Sequence, residues 1–297
     1  MVLSDNTRGA LLMMAAMTAF TLNDACLKLI SGQITPMQAV FLRGLLTTAL
    51  LAVAALWSGA LRVRLARRDL GLVLLRGVAE AAAAWFFLTA LFNMPLADMT
   101  AILQALPLAV TLGAALVFGE SVGWKRVSAI LAGFVGVLLI VRPGSDVFSV
   151  YSLFGVATVF CATVRDLATR RLSREVPSLT VTLASASTVT VLAALVGLGE
   201  EWATPTPGEY GIIALSSVLV LIAYLTVIMA MRVGDIALVA PFRYTGLLVA
   251  IVLGLVVFGD WPDALTWTGS AIVVGSGLFA FWRERQLAVP RPRVPPR

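Results

Sequence analysis

Asn23-Asp24-Ala25-Cys26-Leu27-Lys28 sets a carboxylate and an ammonium inside a run that otherwise reads as membrane helix. Helical spacing puts Asp24 and Lys28 on one face, one turn apart, where they are expected to pair. The stretch has an echo in Arg165-Asp166-Leu167-Ala168-Thr169-Arg170, again an acid and a base four apart in an apolar segment. Ionisable groups are costly in lipid, so they face a protein interior or a water-filled cavity. A repeated pair points further, to two halves built on one plan.

Outward from this stretch the chain is 60% hydrophobic and 13% charged over 297 residues, with a mean hydropathy of +0.95. Soluble domains carry roughly 25% charged residues, so this is the composition of an integral membrane protein. A helix needs about 20 apolar residues to cross the hydrocarbon. The qualifying segments are 9–31, 36–57, 70–92, 97–118, 124–142, 150–171, 179–198, 210–231, 236–258 and 264–282. Breakers separate them: Gly32 and Pro36, Pro95, Pro143-Gly144, Pro177, Pro205 and Pro207, Gly234, and Pro262. The expected fold is all-α, with ten transmembrane helices.

The formal charge of +6 follows topology rather than a nucleic-acid surface. With a cytoplasmic N-terminus, the inner connections hold Arg62, Arg64, Arg67 and Arg68, then Lys125 and Arg126, then Arg170, Arg171 and Arg174, then Arg232. The tail adds Arg283, Arg285, Arg291, Arg293 and Arg297. Outer connections hold Arg142 alone among the bases, against Asp146, Glu200, Glu201, Glu209, Asp260 and Asp263. Both termini are therefore expected in the cytoplasm, with the basic, Pro-rich tail lying near anionic lipid. No segment reads as a cleaved signal peptide, because the first apolar run carries charges and flows into a second span. The chain has no histidine, which removes the commonest general base and metal ligand. Cys26 and Cys161 read as buried small residues. Neither a cofactor nor a metal site is expected, and an intramembrane enzyme is disfavoured by the lack of any HExxH or clustered-acid motif.

The repeat extends beyond the opening stretch. Met94-Pro-Leu-Ala-Asp98 is echoed by Met231-Arg-Val-Gly-Asp235, and Val117-Phe118-Gly119-Glu120 by Val257-Phe258-Gly259-Asp260. Lys28 pairs with Arg170 in the same register. Three echoes in one order, at nearly one offset, argue for duplication. Each unit holds five spans, and an odd number enters the membrane from the opposite side the second time. The expectation is two inverted five-helix repeats, 1–145 and 146–285, followed by a tail over 286–297.

Depth follows from about 1.5 Å of rise per residue. Asp24, Lys28 and Arg43 fall toward the outer side. Arg76 and Glu80, an i,i+4 pair, fall in the inner half of the third span, as do Arg165, Asp166 and Arg243 in theirs. One charged cluster toward each face reads either as a pair of gates or as ion-paired glue between helices. Asp24, Lys28, Arg43, Arg165 and Asp166 are the gating or coupling candidates. Arg76, Glu80, Trp85, Gln104, Tyr224, Arg243 and Tyr244 are the candidates for touching a ligand. Pro107 and Pro241 each remove a helix hydrogen bond and free a carbonyl. Gly133 and Gly136, and Gly269, Gly275 and Gly277, give small-residue faces suited to packing or to a homodimer.

The chain resembles the drug/metabolite transporter superfamily with two EamA-type repeats. The resemblance rests on Phe20 through Lys28, Val40-Phe-Leu-Arg43, Pro95-Leu-Ala-Asp98, Phe118-Gly119-Glu120 leading into Gly133 and Gly136, Val141-Arg142-Pro143-Gly144, and Trp282-Arg283-Glu284-Arg285. It covers nearly the whole chain. It implies a central cavity lined chiefly by helices 1, 3, 4, 6, 8 and 9. The substrates it implies are small: amino acids and other metabolites for export, or riboflavin or S-adenosylmethionine for uptake. A bacterial inner-membrane exporter of amino acids or related metabolites is the leading expectation.

Overall fold

The structure, a computed structural model, describes residues 4–58, 66–120, 122–145, 148–173, 175–233 and 236–288. Arg62, Arg64, Asp146, Arg174, Asp235, the tail from 289 on, and the side chains of Arg232 and Arg285 lie outside the described residues.

The helices are α1 (Asp5–Leu29), α2 (Pro36–Ser58), α3 (Arg67–Asn93), α4 (Leu96–Leu103), α5 (Leu106–Phe118), α6 (Trp124–Val141), α7 (Val150–Arg170), α8 (Ser178–Gly197), α9 (Pro207–Val233), α10 (Ile236–Val239), α11 (Thr245–Leu253) and α12 (Ala264–Ala288). They make ten spans long and apolar enough to cross a membrane. Two spans are broken, and proline chemistry says where. The fourth is α4 plus α5, interrupted at Gln104-Ala105 just before Pro107. The ninth runs through a 3₁₀ turn, Ala240–Tyr244, which contains Pro241. A proline ring has no N–H to donate and collides with the carbonyl four residues back, so each helix must restart. Gly119 and Gly259 then end the fourth and ninth spans in the left-handed conformation, at φ 67° and 71°.

The packing follows the duplication. α1 runs along α9, and its repeat partner α7 runs along α3. α2 packs on α8, and α6 on α12. Each of these four contacts is either its own image or the image of another when the halves are exchanged. The larger apolar core gathers Leu27, Ile30, Leu91, Leu96, Met99 and Ile102, toward the Lys28 end of the molecule. A second cluster, Met13, Ala230 and Val239, lies toward the opposite end.

Of the two uses expected for the glycine faces, packing or a homodimer, the structure shows packing within the chain for most of them. A Cβ on Gly136 would sit 2.8 Å from the Gly269 carbonyl, and one on Gly269 would sit 2.6 Å from that of Gly136. Gly133 lies under Leu108, and Gly277 lies under the Tyr244 hydroxyl. Gly275 alone of the five glycines faces open space.

Arg142 closes the α6 end in the left-handed region, at φ 51°. Its guanidinium bonds the Asp263 carboxylate and, at 3.3 Å, the Thr266 hydroxyl. Asp263 also caps α12 by accepting from the Thr266 backbone N–H at 2.8 Å. Arg142, helped by the Thr266 N–H, holds the Asp263 carboxyl down to about 2. The depressed folded value lies below that of an unfolded aspartate, roughly 3.9. Its stabilisation is therefore complete above that unfolded value and is lost as pH falls toward 2. Asp263→Asn is expected to lower Tm near neutral pH, with the gap to wild type narrowing as the melt is repeated from pH 5 downward. A gap constant across that range would separate Asp263 from the stability of this junction.

Candidate functional site

Glu80 is the middle residue of α3. It borders a cavity of about 210 Å³ lined by Arg43, Thr47, Arg76, Glu80, Thr182, Ser185 and Tyr224, with apolar residues between them. The walls are α2, α3, α8 and α9, and two close approaches set the first three. A Cβ on Gly44 would lie 2.4 Å from Thr190 Oγ1, and one on Gly77 would lie 2.8 Å from Thr188 Oγ1. Glycine on α2 and α3 thus lets α8 wedge between them. An apolar groove of about 280 Å³ shares Val40 and Val189 with this cavity and is otherwise lined by α2, α3 and α8 residues that include Trp85.

Charge around the cavity is arranged as a network. Arg165 spans two acids, bonding Glu80 at 3.1 Å and Asp166 at 2.8 Å. Arg76 lies 3.9 Å from Glu80 and donates to Thr169 at 3.0 Å. Arg43 donates to the Asn23 amide oxygen at 3.3 Å, and Ser216 donates to the same oxygen at 2.7 Å. The Asn23 amide N–H in turn holds Asp24 at 2.9 Å. Tyr224 meets Phe20 edge-on at 5.2 Å, yet keeps 40% of its surface open. It lies within electrostatic reach of Glu80, Arg165, Arg43 and Arg76. Ionised groups this far from a helix end need partners or water, and here they have both a network and an open cavity.

Several expectations need correction. Asp24 and Lys28 do not pair. Lys28 donates to the carbonyls of Leu91 and Met94 at 3.1 and 2.6 Å, capping the C-terminal end of α3. Exposed carbonyls with a negative dipole end out-compete a carboxylate already held by Asn23. Asp166 and Arg170 do not pair either, because Arg170 reaches Glu120 at 3.0 Å and Arg165 takes Asp166. Arg43 reaches Asp24 only through Asn23. The charged groups do not form one cluster per face, since Arg43, from the expected outer group, borders the same cavity as Arg76 and Glu80.

The remaining candidates scatter. Trp85 leaves the charged cavity for the apolar groove, 5.0 Å from Phe86 and 6.3 Å from Phe154 between ring centres. Gln104 lies at the α4 break and is not among the residues lining the cavity. Arg243 is exposed and senses Asp166 and Arg165 electrostatically. Tyr244 is buried against Gly277, its hydroxyl without a partner. The cavity walls are the second, third, seventh and eighth spans, not the set that the resemblance implies.

Sequence reasoning missed Thr47, Ser185 and Ser216, and the glycines Gly44 and Gly77. Their only signal is small or hydroxylated residues recurring within apolar spans. In lipid such residues mark faces turned toward protein. Among the described residues no group of three or more His, Cys, Asp or Glu side chains is placed to hold a metal.

The EamA-like transporter family matches this chain twice, over residues 7–142 and 150–282. A pseudopaline exporter of Pseudomonas aeruginosa is 27% identical, over 92% of this chain and 96% of its own length. A riboflavin transporter of Vibrio cholerae is 28% identical, over 95% and 97%. An S-adenosylmethionine uptake transporter of Rickettsia prowazekii is 22% identical, over 90% of each. A solved crystal structure aligns over 95% of this chain and 99% of its own, with a TM-score of 0.65 at 23% identity, which speaks for the fold. With two matched segments, ten spans and a charged cavity between them, the chain belongs to the EamA-like transporter family and is a multi-pass membrane transporter of a small solute, not an enzyme.

Proposed function

We propose that the protein exports amino acids or closely related metabolites across the bacterial inner membrane by alternating access. The observation that carries this is the cavity beside the middle residue of α3, bordered by Arg43, Arg76, Glu80 and Tyr224. Groups of both charge signs around one space suit a zwitterion. The halves 1–145 and 146–285 rock about it. Arg165 and Asp166, joined to Glu80, act in coupling together with Asp24 and Arg43, and Arg243 receives solute at the open rim. The relatives' names differ in both substrate and direction, so they do not choose. Size favours the smaller solutes, because about 210 Å³ falls below the roughly 300–1,000 Å³ of pockets that hold drug-sized ligands.

Counterflow in proteoliposomes tests this reading. Preloaded amino acid is expected to accelerate uptake of the same labelled amino acid, saturably, while riboflavin and S-adenosylmethionine do neither. Stimulation by riboflavin alone would turn the protein into a vitamin carrier.

Orientation is tested separately. In a Cys26→Ala/Cys161→Ala background, Thr204→Cys is expected to label from the periplasm with an impermeant maleimide, and Ala66→Cys only after lysis. The reverse pattern would invert the topology.

A further inference from the structure

We propose that Arg43, Thr47 and Ser185 form a subsite for one carboxylate group, so that the solutes carried are carboxylic acids or zwitterions. This rests on reading the cavity as the transport site. Arg165 is occupied by Glu80 and Asp166. Arg76 is engaged by Thr169 and faces Glu80. Arg43 has no carboxylate in direct contact among the described residues, and its bond to the neutral Asn23 amide leaves most of its five donors unspent. Thr47 lies one helical turn along α2 on the same face. Its hydroxyl and that of Ser185 are buried without a hydrogen-bond partner, Ser185 being only 4% exposed, and both residues line the cavity beside Arg43. A guanidinium with spare N–H groups and two unpartnered hydroxyls call for an acceptor. Of the two described cations that line the cavity, Arg43 and Arg76, only Arg43 lacks a touching counter-ion, and it calls for a single negative charge. Glu80 already faces Arg165 at 3.1 Å and Arg76 at 3.9 Å, so recognition begins at the carboxylate and an ammonium is held the more weakly.

The test uses purified full-length protein and matched probes: L-alanine, L-leucine and L-phenylalanine against their amides, with glycerol 3-phosphate as a phosphate arm. Thermal shifts are expected from acids and not from amides. Thr47→Val and Ser185→Ala should leave the ligand-free Tm unchanged or raised, since each removes an orphaned hydroxyl. Each should weaken acid binding about two- to tenfold. Arg43→Gln should weaken it on the order of a hundredfold, with Arg43→Lys recovering part. Equal shifts from the amides, stronger shifts from the phosphate, or none from any acid would overturn the subsite. Counterflow separates the two readings. Amides carried by the wild-type protein as fast as the matching acids sink the carboxylate subsite and keep the carrier, whereas no counterflow with any solute sinks the carrier.

An independent set of contacts carries a second inference. Arg170 stacks on Phe118 at 5.6 Å and pairs with Glu120. Lys28 stacks on Phe258 at 5.5 Å, with Asp260 within electrostatic reach. The same basic, aromatic and acidic residues, each with a left-handed glycine between ring and acid, recur at opposite ends of the molecule. Their partners differ. At the tightly packed end Lys28 holds the α3 carbonyls, while at the other end Arg170 holds its acid. We infer that these are two copies of one mouth latch, which exchange partners when the carrier changes the face it opens. In the opposite state Lys28 takes Asp260, and Arg170 takes the carbonyls ending α9.

Labelling of Ala84→Cys, a cavity-lining position, reads the state. The Cys26→Ala/Cys161→Ala background is used, with impermeant maleimide added on the Lys28 face. Lys28→Met is expected to raise labelling severalfold by loosening the closed end. Asp260→Asn removes a contact needed only in the opposite state, so it should lower labelling. Changes in the same direction, or none with Asp260→Asn, would overturn the exchange.

Discussion

Arg165→Met is expected to cost about 3–5 kcal/mol of stability, the largest loss of any single substitution in the charged network. Arg165 stands between Glu80 and Asp166, and its side chain is 22% exposed. Without it, Glu80 and Asp166 lose the cation they share inside the transmembrane region, and Arg76, 3.9 Å from Glu80, is the guanidinium left beside that acid. The penalty is the desolvation and mutual repulsion of the stranded acids, not the worth of two ion pairs. That distinction is measurable. Arg165→Met combined with Glu80→Gln and Asp166→Asn removes the stranded charges and should recover most of the Tm, because replacing a buried network is far cheaper than breaking it. The triple variant should nevertheless fail in counterflow, since Glu80 borders the cavity. Detergent melts and size-exclusion profiles of the single and triple variants decide. An Arg165→Met protein as stable as wild type would mean that water already solvates the acids.

The ten spans were legible because hydropathy and breakers act locally. Pro107 and Pro241 announced the two broken spans from chemistry that needs no neighbours. The duplication was legible too, and it foreshadowed the matched stacking of Lys28 on Phe258 and Arg170 on Phe118. Partner choice was not legible. Spacing i,i+4 says which groups share a helix face, and it offered Lys28 to Asp24. It says nothing of a helix end arriving from α3 with unbonded carbonyls, nor of Asn23 holding Asp24 first. The same blindness put Trp85 and Gln104 in the cavity and left out Thr47 and Ser185. Aromatic and amide side chains stand out in an apolar span, whereas a hydroxyl does so only once the opposing helix is in place.

That opposing helix is α8, and its seat makes the second large prediction. Gly44→Ala is expected to destabilise the protein by about 1–3 kcal/mol, the usual range for overpacking, even though alanine in a helix gains roughly 1 kcal/mol over glycine. The new Cβ would lie 2.4 Å from Thr190 Oγ1, 3.2 Å from its Cβ and 3.4 Å from its Cγ2. The hydroxyl cannot swing freely, because it bonds the Ala186 carbonyl at 2.8 Å and Thr48 at 3.2 Å. Thr190→Ala removes the worst contact and leaves one at 3.2 Å, so the double variant should regain most of the Tm. Gly77 provides the contrast. Its Cβ would meet Thr188 Oγ1 at 2.8 Å but also Thr188 Cβ at 2.9 Å, and Thr188→Ala keeps that carbon. Gly77→Ala/Thr188→Ala should therefore recover much less. Equal recovery at both sites would show that α8 shifts as a body to make room, and would dissolve the view that these two glycines fix the cavity wall. Unequal recovery ties the wall to two atoms' worth of space. Gly44, Ala186 and Val189 line the cavity itself, so the Gly44→Ala protein should lose affinity for its solute along with Tm, and the double variant should regain both together.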